Sequence, residues 1–315
     1  MQITFLDAAT LGDDLSTHSF SAFGSVTVYP TTAPNEVVAH IGHAEAVVVN
    51  KVKLNESNLA NNQTLKLICI TATGFDNVDL DYCRKRGIAV CNVVGYSTQC
   101  VAQLTVTMAL SLITHLPEYN AYVNDGRYTA SGVANRLDPV FHEICGKTWG
   151  IVGFGNIGKQ VARVAQALGC RVLVNKRTPV EGWNCVDLAT LCQNSDIISI
   201  HTPLNDSTRN LIDRSHIEMM KSSAIVINVS RGAVTDEAAL ADAIKAQKLG
   251  GLGVDVYSTE PMPAEHPFSA LLGMPNVSLT PHMAWGGYET RVRLLDEVAQ
   301  NISAFLAGER RNRID

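Results

Sequence analysis

Three residues in the second half of this 315-residue chain carry groups that could act together on a small anionic substrate: Arg231, Glu260 and His282. Arg231 follows the apolar run 224–229 (AIVINV). Glu260 lies in the segment 253–261 (GVDVYSTEP), and His282 lies in 279–285 (LTPHMAW). A planar arginine fork directly after a buried strand suits a carboxylate or keto oxygen. A histidine beside a carboxylate suits proton donation, because the negative charge favours the imidazolium. A hydride delivered to a ketone leaves an alkoxide that must be protonated, and such a histidine is a fitting acid. Each residue alone has a plainer reading: Arg231 paired with a surface acid, Glu260 as a turn residue before Pro261, His282 as a satisfied loop histidine. Their combination behind a second motif favours chemistry.

That second motif is Gly153, Phe154, Gly155, Asn156, Ile157, Gly158, a G-x-G-x-x-G. It follows the apolar run 148–153 (TWGIVG), opens a helical pattern that stops at Gly169, and is followed at once by a further run at 171–175 (RVLVN). In this strand–helix–strand context the first glycine permits a tight turn, the second admits a pyrophosphate and the third allows close packing. The N-terminus of the helix favours the negative charge. An acid about 20 residues on usually binds the ribose of NAD. Here that stretch reads Val174, Asn175, Lys176, Arg177, Thr178, with no carboxylate before Glu181. Lys176 and Arg177 suit a 2′-phosphate and Thr178 could donate to it, so NADP is favoured over NAD. The alternative is a site that tolerates both.

The elements needed to position these groups are visible as short apolar, β-branched runs. In the first part they are 3–6, 26–29, 46–50, 65–70 and 88–93. In the second they are 148–153, 171–175, 196–201, 224–229, 251–257 and 276–280. Continuous apolar strands separated by helix-length segments predict an α/β fold with parallel sheets covered on both faces. Ligands then gather outside the C-terminal strand ends, where the candidate residues fall. A helix begins after Arg231, with Thr235 as expected N-cap followed by Asp236 and Glu237. The length favours two domains. No linker rich in Pro, Gly or Ser divides them and no repeat is visible. Because the glycine motif begins about 150 residues in, a substrate domain is expected before it. Segments 98–116 and 286–308 each predict one long helix able to carry the chain across and back. The expected division is a discontinuous substrate domain, 1–97 plus 286–315, and a dinucleotide domain, 98–285.

Composition excludes several classes. Hydrophobic residues make up 46% of the chain and charged ones 17%, which argues against disorder. A formal charge of −5 without long charge blocks gives no footprint for nucleic acid or anionic membrane. Arg310, Arg311 and Arg313 read as a solvated tail. The eight cysteines form no C-x-x-C pair, so free buried thiols and a reducing compartment are expected, with no metal. The N-terminus lacks a signal peptide's features, and no run is long enough to span a bilayer, so a cytoplasmic protein is expected.

Over nearly its whole length the sequence resembles the D-isomer-specific 2-hydroxyacid dehydrogenase family. The motifs are ATGFDNVD (72–79), GIVGFGNIG (150–158), HTPL (201–204), NVSRGAVTDEAAL (228–240), GVDVYSTEP (253–261) and TPHMAW (280–285). FLDAATLGDD and CNVVGYST look like its glycerate dehydrogenase or hydroxypyruvate reductase branch. The resemblance implies two Rossmann/flavodoxin-like domains with the active site in the cleft, and a homodimer built through the cofactor domains. It implies that Arg231 binds the substrate carboxylate and polarises the carbonyl, His282 is the acid/base and Glu260 holds it. Ala72, Thr73 and Gly74 would offer backbone N–H groups to the carboxylate. Asp255 would contact the nicotinamide carboxamide. His201, Thr202 and Pro203, with Val229 and Ser230, would line the cofactor site, Thr202 and Pro203 flanking the adenosine. The preferred substrates would be glyoxylate and hydroxypyruvate, with D stereochemistry. Gln103 departs from the pattern, standing where a glutamate is common. Lys51, at the end of a strand, is read as a surface lysine. Two rivals remain: a dinucleotide-binding redox sensor or corepressor of the same fold, disfavoured by the intact trio, and a formate dehydrogenase, which would lack the Glu–His pair.

Overall fold

All eleven apolar runs form strands in the structure, a computed structural model describing residues 1–315, and every strand pairing is parallel. The chain divides into two compact units, one formed by Met1–Ser97 with Gly286–Asp315 and the other by Thr98–Trp285. In the first unit β1 (Gln2–Phe5), β2 (Ser25–Val28), β3 (Ala46–Val49), β4 (Leu67–Ile70) and β5 (Ala89–Cys91) form a sheet in the order β2-β1-β3-β4-β5. Strands β3 and β4 are buried at every position, as expected where both faces are covered. The helix Tyr288–Leu306 packs on β4 and buries Leu294, Val298 and Ile302.

The second unit holds β6 (Thr148–Val152), β7 (Arg171–Asn175), β8 (Ile197–Ile200), β9 (Ile225–Asn228), β10 (Gly251–Val254) and β11 (Val277–Leu279), in the order β11-β10-β9-β8-β6-β7. A further parallel bridge, Val174 to Cys185, extends the β7 edge. Successive strand residues point to opposite faces, and two cores result. Ile198, Ile200, Val226, Leu252 and Val254 join one with the helix Glu237–Lys245. Trp149, Ile151, Ile197, Ile225 and Ile227 join the other with the helices Thr98–Thr114 and Asn156–Ala167. In each sheet the strand order reverses direction once, between β1 and β3 and between β6 and β8. Crevices at such points receive ligands in open parallel sheets.

Four local expectations need correction. The helix expected over 98–116 ends at Thr114; His115 turns left-handed at φ 51°, and Leu116–Asn124 forms a new helix. Pro117 explains the break, since it has no N–H to donate and disfavours helical geometry in the residue before it. The helix after Arg231 is capped by Asp236, whose side chain accepts from the Ala239 N–H, while Thr235 is buried and donates to Gly232 O. The run 251–257 is a strand only to Val254. The C-terminal arginines are not a solvated tail as a group. Arg311 binds Glu297, Gln300 and Asn301, Arg313 pairs with Asp315, and the segment bonds back to β5 through Ile314 N–H to Val90 O. Only Arg310 of the three is exposed; Arg311 and Arg313 are half-buried. No single helix is long and apolar enough to cross a membrane.

Candidate active site

Arg231, Glu260 and His282 follow β9, β10 and β11, three adjacent parallel strands, so all three leave the same edge of the sheet. His282 Nδ1 lies 2.7 Å from Glu260 Oε2. The other carboxylate oxygen of Glu260 accepts from the Tyr257 N–H at 3.0 Å, which fixes its orientation. With Nδ1 engaged, Nε2 is the nitrogen left to exchange a proton with a ligand. His282 sits at φ 53°, in the left-handed region that a non-glycine residue adopts only when its surroundings hold it. The holder is Asp255, fully buried, whose carboxylate accepts from Thr280 Oγ1 at 2.6 Å, Met283 N at 2.8 Å and Ala284 N at 2.9 Å. Burial pushes the Asp255 carboxyl above its ordinary range, while these bonds and the nearby His282 pull it back. Its carboxylate faces inward and shapes the loop that carries His282.

Arg231 is half-buried and donates through Nη1 to Ser230 O at 2.8 Å. Its carbonyl accepts from Asn228 Nδ2, and Asn228 Oδ1 accepts from Ser230 N and Oγ. Asn228 thus folds the turn that aims Arg231. Its place at the end of β9 was visible in the sequence, but its role was not read there. Val229 is buried under this turn, and Ser230 is half-buried within it. Tyr257 donates its hydroxyl to Thr280 O at 3.0 Å, tying the Glu260 loop to the His282 loop. Burial, with Asp255, Glu260 and Glu237 nearby, pushes this phenol up to about 12, so the donor is kept.

The glycine loop lies at the reversal between β6 and β8 and fits a dinucleotide pyrophosphate. Gly153 has φ 90°, and a Cβ there would lie 2.7 Å from His201 C and Thr202 N; one at Gly158 would lie 2.2 Å from Gly153 O. At Gly155 a Cβ would meet nothing within 4 Å, so that face is open. Gly155 is the N-cap of Asn156–Ala167 and supplies no side-chain cap, which leaves the first amides of the helix, from Asn156, Ile157 and Gly158, without a side-chain partner. Open space, unfilled amides and the helix dipole together suit a phosphate. His201 follows β8 beside this loop. Its Nε2 lies 2.9 Å from Ser199 Oγ, while Nδ1 is shut off from solvent without a partner. Burial pushes the imidazole down to about 3, so it stays neutral. Thr202 is half-buried and Pro203 exposed. Lys176, Arg177 and Thr178 are exposed in the loop after β7.

In the first unit the segment Ala72, Thr73, Gly74 follows β4. It is braced by Thr73 Oγ1 donating to Val93 O and Asn92 Nδ2 donating to Thr73 O. Lys51 and Gln103 are both exposed.

A glycine-loop dinucleotide fold that presents an arginine and a carboxylate-held histidine at neighbouring strand ends defines a nicotinamide-dependent oxidoreductase. Residues 106–284 match the family described as D-isomer specific 2-hydroxyacid dehydrogenase, NAD binding domain. The chain is 35% identical to the glycerate dehydrogenase of Methylorubrum extorquens, over 100% of this chain and 99% of the relative. It is 34% identical to the hydroxypyruvate reductase of Blautia hydrogenotrophica, over 98% of each. A solved structure from Thermus thermophilus, 30% identical, superposes with a TM-score of 0.88 and 100% coverage of both chains. The chain belongs to the D-isomer-specific 2-hydroxyacid dehydrogenase family, and it is an NAD(P)-dependent enzyme that transfers hydride between its cofactor and a 2-oxo or D-2-hydroxy acid.

Proposed function

We propose that the protein works as a reductase of short 2-oxo acids, glyoxylate and hydroxypyruvate, and in reverse as a D-glycerate dehydrogenase. The observation that carries this reading is the 2.7 Å His282–Glu260 pair beside Arg231, together with relatives named for these reactions. The nicotinamide, when bound, supplies the hydride in reduction and accepts it in oxidation. Arg231 binds the carboxylate of the substrate and polarises its carbonyl. His282 Nε2 gives its proton to the oxygen that becomes the hydroxyl, and Glu260 stabilises the imidazolium before that transfer. In the first unit, backbone N–H groups of Ala72, Thr73 and Gly74 serve a carboxylate. Gly153, Gly155, Asn156, Ile157 and Gly158 hold the pyrophosphate, and His201, Thr202, Pro203, Val229 and Ser230 line the rest of the cofactor site.

The cofactor of choice in this reading is NADPH. No acid stands where it would repel a 2′-phosphate, and Lys176, Arg177 and Thr178 can meet one. The assembly is a homodimer through the dinucleotide-binding unit. Leu116, Val123, Val133, Leu137, Val140 and Phe141 are 48–71% exposed within one stretch of that unit. So much apolar surface on one segment calls for a cover, and a second copy supplies the same chemistry. A cytoplasmic location accords with the buried thiols of Cys69, Cys83, Cys91, Cys170 and Cys192. The test is turnover of glyoxylate, hydroxypyruvate, pyruvate and branched or aromatic 2-oxo acids, each with NADPH and NADH. The two short acids are expected to lead in kcat/KM; a clear preference for the bulky acids would overturn the substrate assignment.

A further inference from the structure

We propose that Glu237 and His266 form a buried carboxylate–imidazole pair that positions the Arg231 turn and the Glu260 loop for catalysis. This rests on the roles given above to Arg231, Glu260 and His282. His266 Nε2 lies 3.0 Å from Glu237 Oε2, with side chains 3% and 9% exposed. His266 Nδ1 accepts from the Phe268 N–H, so the ring proton sits on Nε2 and is donated to Glu237. The other oxygen of Glu237, Oε1, accepts from the Ser258 N–H at 2.9 Å. Ser258 stands two residues before Glu260 and next to Tyr257, whose N–H and hydroxyl hold Glu260 and Thr280. The Tyr257 ring in turn meets His266 edge-on, with centroids 5.7 Å apart.

The same carboxylate also borders the arginine turn. A Cβ on Gly232, the residue after Arg231, would lie 2.6 Å from Glu237 Oε1 and 2.2 Å from Ser258 N. The Arg231 turn therefore rests directly on the backbone that Glu237 holds. Stability gives a weak reason for this arrangement. A buried carboxylate–imidazole hydrogen bond among neighbours such as Tyr257 and Phe268 is often no more stabilising than well-packed hydrocarbon. A carboxylate there does what hydrocarbon cannot: it fixes a backbone amide of one catalytic loop against the turn of another. Neither residue faces the substrate, so both are positioning residues.

The experiment uses the full chain with Glu237→Gln, His266→Asn and His266→Gln. In Glu237→Gln the amide NH2 replaces an acceptor for one of the two donors, His266 Nε2–H or Ser258 N–H, while no charge is left buried. Asparagine at 266 can keep the acceptor for Phe268 N–H but cannot reach Glu237; glutamine keeps the donor to Glu237. Glu237→Gln and His266→Asn are expected to lower kcat for 2-oxo acid reduction by about tenfold, the effect of a modest misplacement of catalytic groups. KM for NADPH stays unchanged. His266→Gln restores kcat to within about threefold of the parent on the same argument. A merely structural pair would lower the melting temperature while leaving kcat per folded molecule where it was, and that result overturns the proposal. If His266→Asn does not fold, Glu237→Gln and His266→Gln decide the question. His282→Ala separates the two layers: full turnover there would sink the underlying assignment of the acid rather than the positioning role.

Discussion

The two sheets reverse strand order in the same way, yet their crevices are filled differently. In the first unit, Asp7 follows β1 and turns its carboxylate onto the amides after β3. It accepts from Asn50 N at 2.9 Å, Lys51 N at 2.6 Å and Val52 N at 3.1 Å, and it is 8% exposed. In the second unit, the corresponding place after β6 holds Gly153 and Gly155, and the helix behind them has no side-chain cap. Parallel strands present backbone N–H groups at both points, so both are suited to an anion. One carries its anion within the chain. The other is left open, and a dinucleotide can supply the charge. The fold creates the opportunity twice, and one side chain decides whether a cofactor can use it.

The contrast can be broken first where the effect should be greatest. Gly155→Ala places a methyl group in the open face and strains nothing, since Gly155 has extended φ −81° and ψ −159°. Its cost to folding should stay below about 1 kcal/mol. Binding of NADPH and NADH should weaken by roughly 100-fold, the equivalent of losing about 2.7 kcal/mol of charge-assisted hydrogen bonding. Isothermal titration beside thermal melts would check both halves, and unchanged affinity would show that the open face is not where the pyrophosphate rests. Asp7→Ala should do the reverse. Removing the acceptor of three amides should cost about 2 kcal/mol of unfolding free energy in urea. Dissociation constants for the cofactor should stay the same. Smallest of the three is the effect of Arg177→Ala. An exposed charge contact is worth about 1 kcal/mol, so the ratio of kcat/KM for NADPH over NADH should fall about fivefold. A ratio below one in the parent, or a ratio that ignores the mutation, would remove this loop from phosphate recognition.

What was legible in the sequence follows from the range of the interactions concerned. Strands were legible because burial on both faces demands unbroken β-branched runs, as in Ile225–Asn228 and Ala46–Val49. The glycine motif was legible because its constraints are local: a positive φ at Gly153, and contact of Gly158 with the Gly153 carbonyl. Arg231, Glu260 and His282 were marked by their places after strands, and the His282–Glu260 contact matches the chemistry expected of them. Contacts between distant residues left no such mark. Glu237 reads as an acid in the first turn of a helix, yet its partner lies 29 residues away. Asp255 is marked by its place after β10, but its support of 280–284 from within joins residues 25 to 29 positions apart. The arginines near the C-terminus read as solvated because Glu297 and Asn301, which bind Arg311, lie a few helical turns earlier on a segment whose fold-back no periodicity announces.

The account stands on His282 as the proton carrier, and single-turnover kinetics across pH test it most directly. Hydroxypyruvate reduction by NADPH needs the protonated imidazole, whereas D-glycerate oxidation needs the neutral one. The two rates, measured where chemistry is limiting, should therefore change in opposite directions as pH rises. In His282→Ala both rates should drop by roughly 10²–10⁴-fold and lose this dependence, while cofactor affinity is preserved. Parallel pH profiles for the two directions, or near-normal rates in His282→Ala, would contradict the assignment.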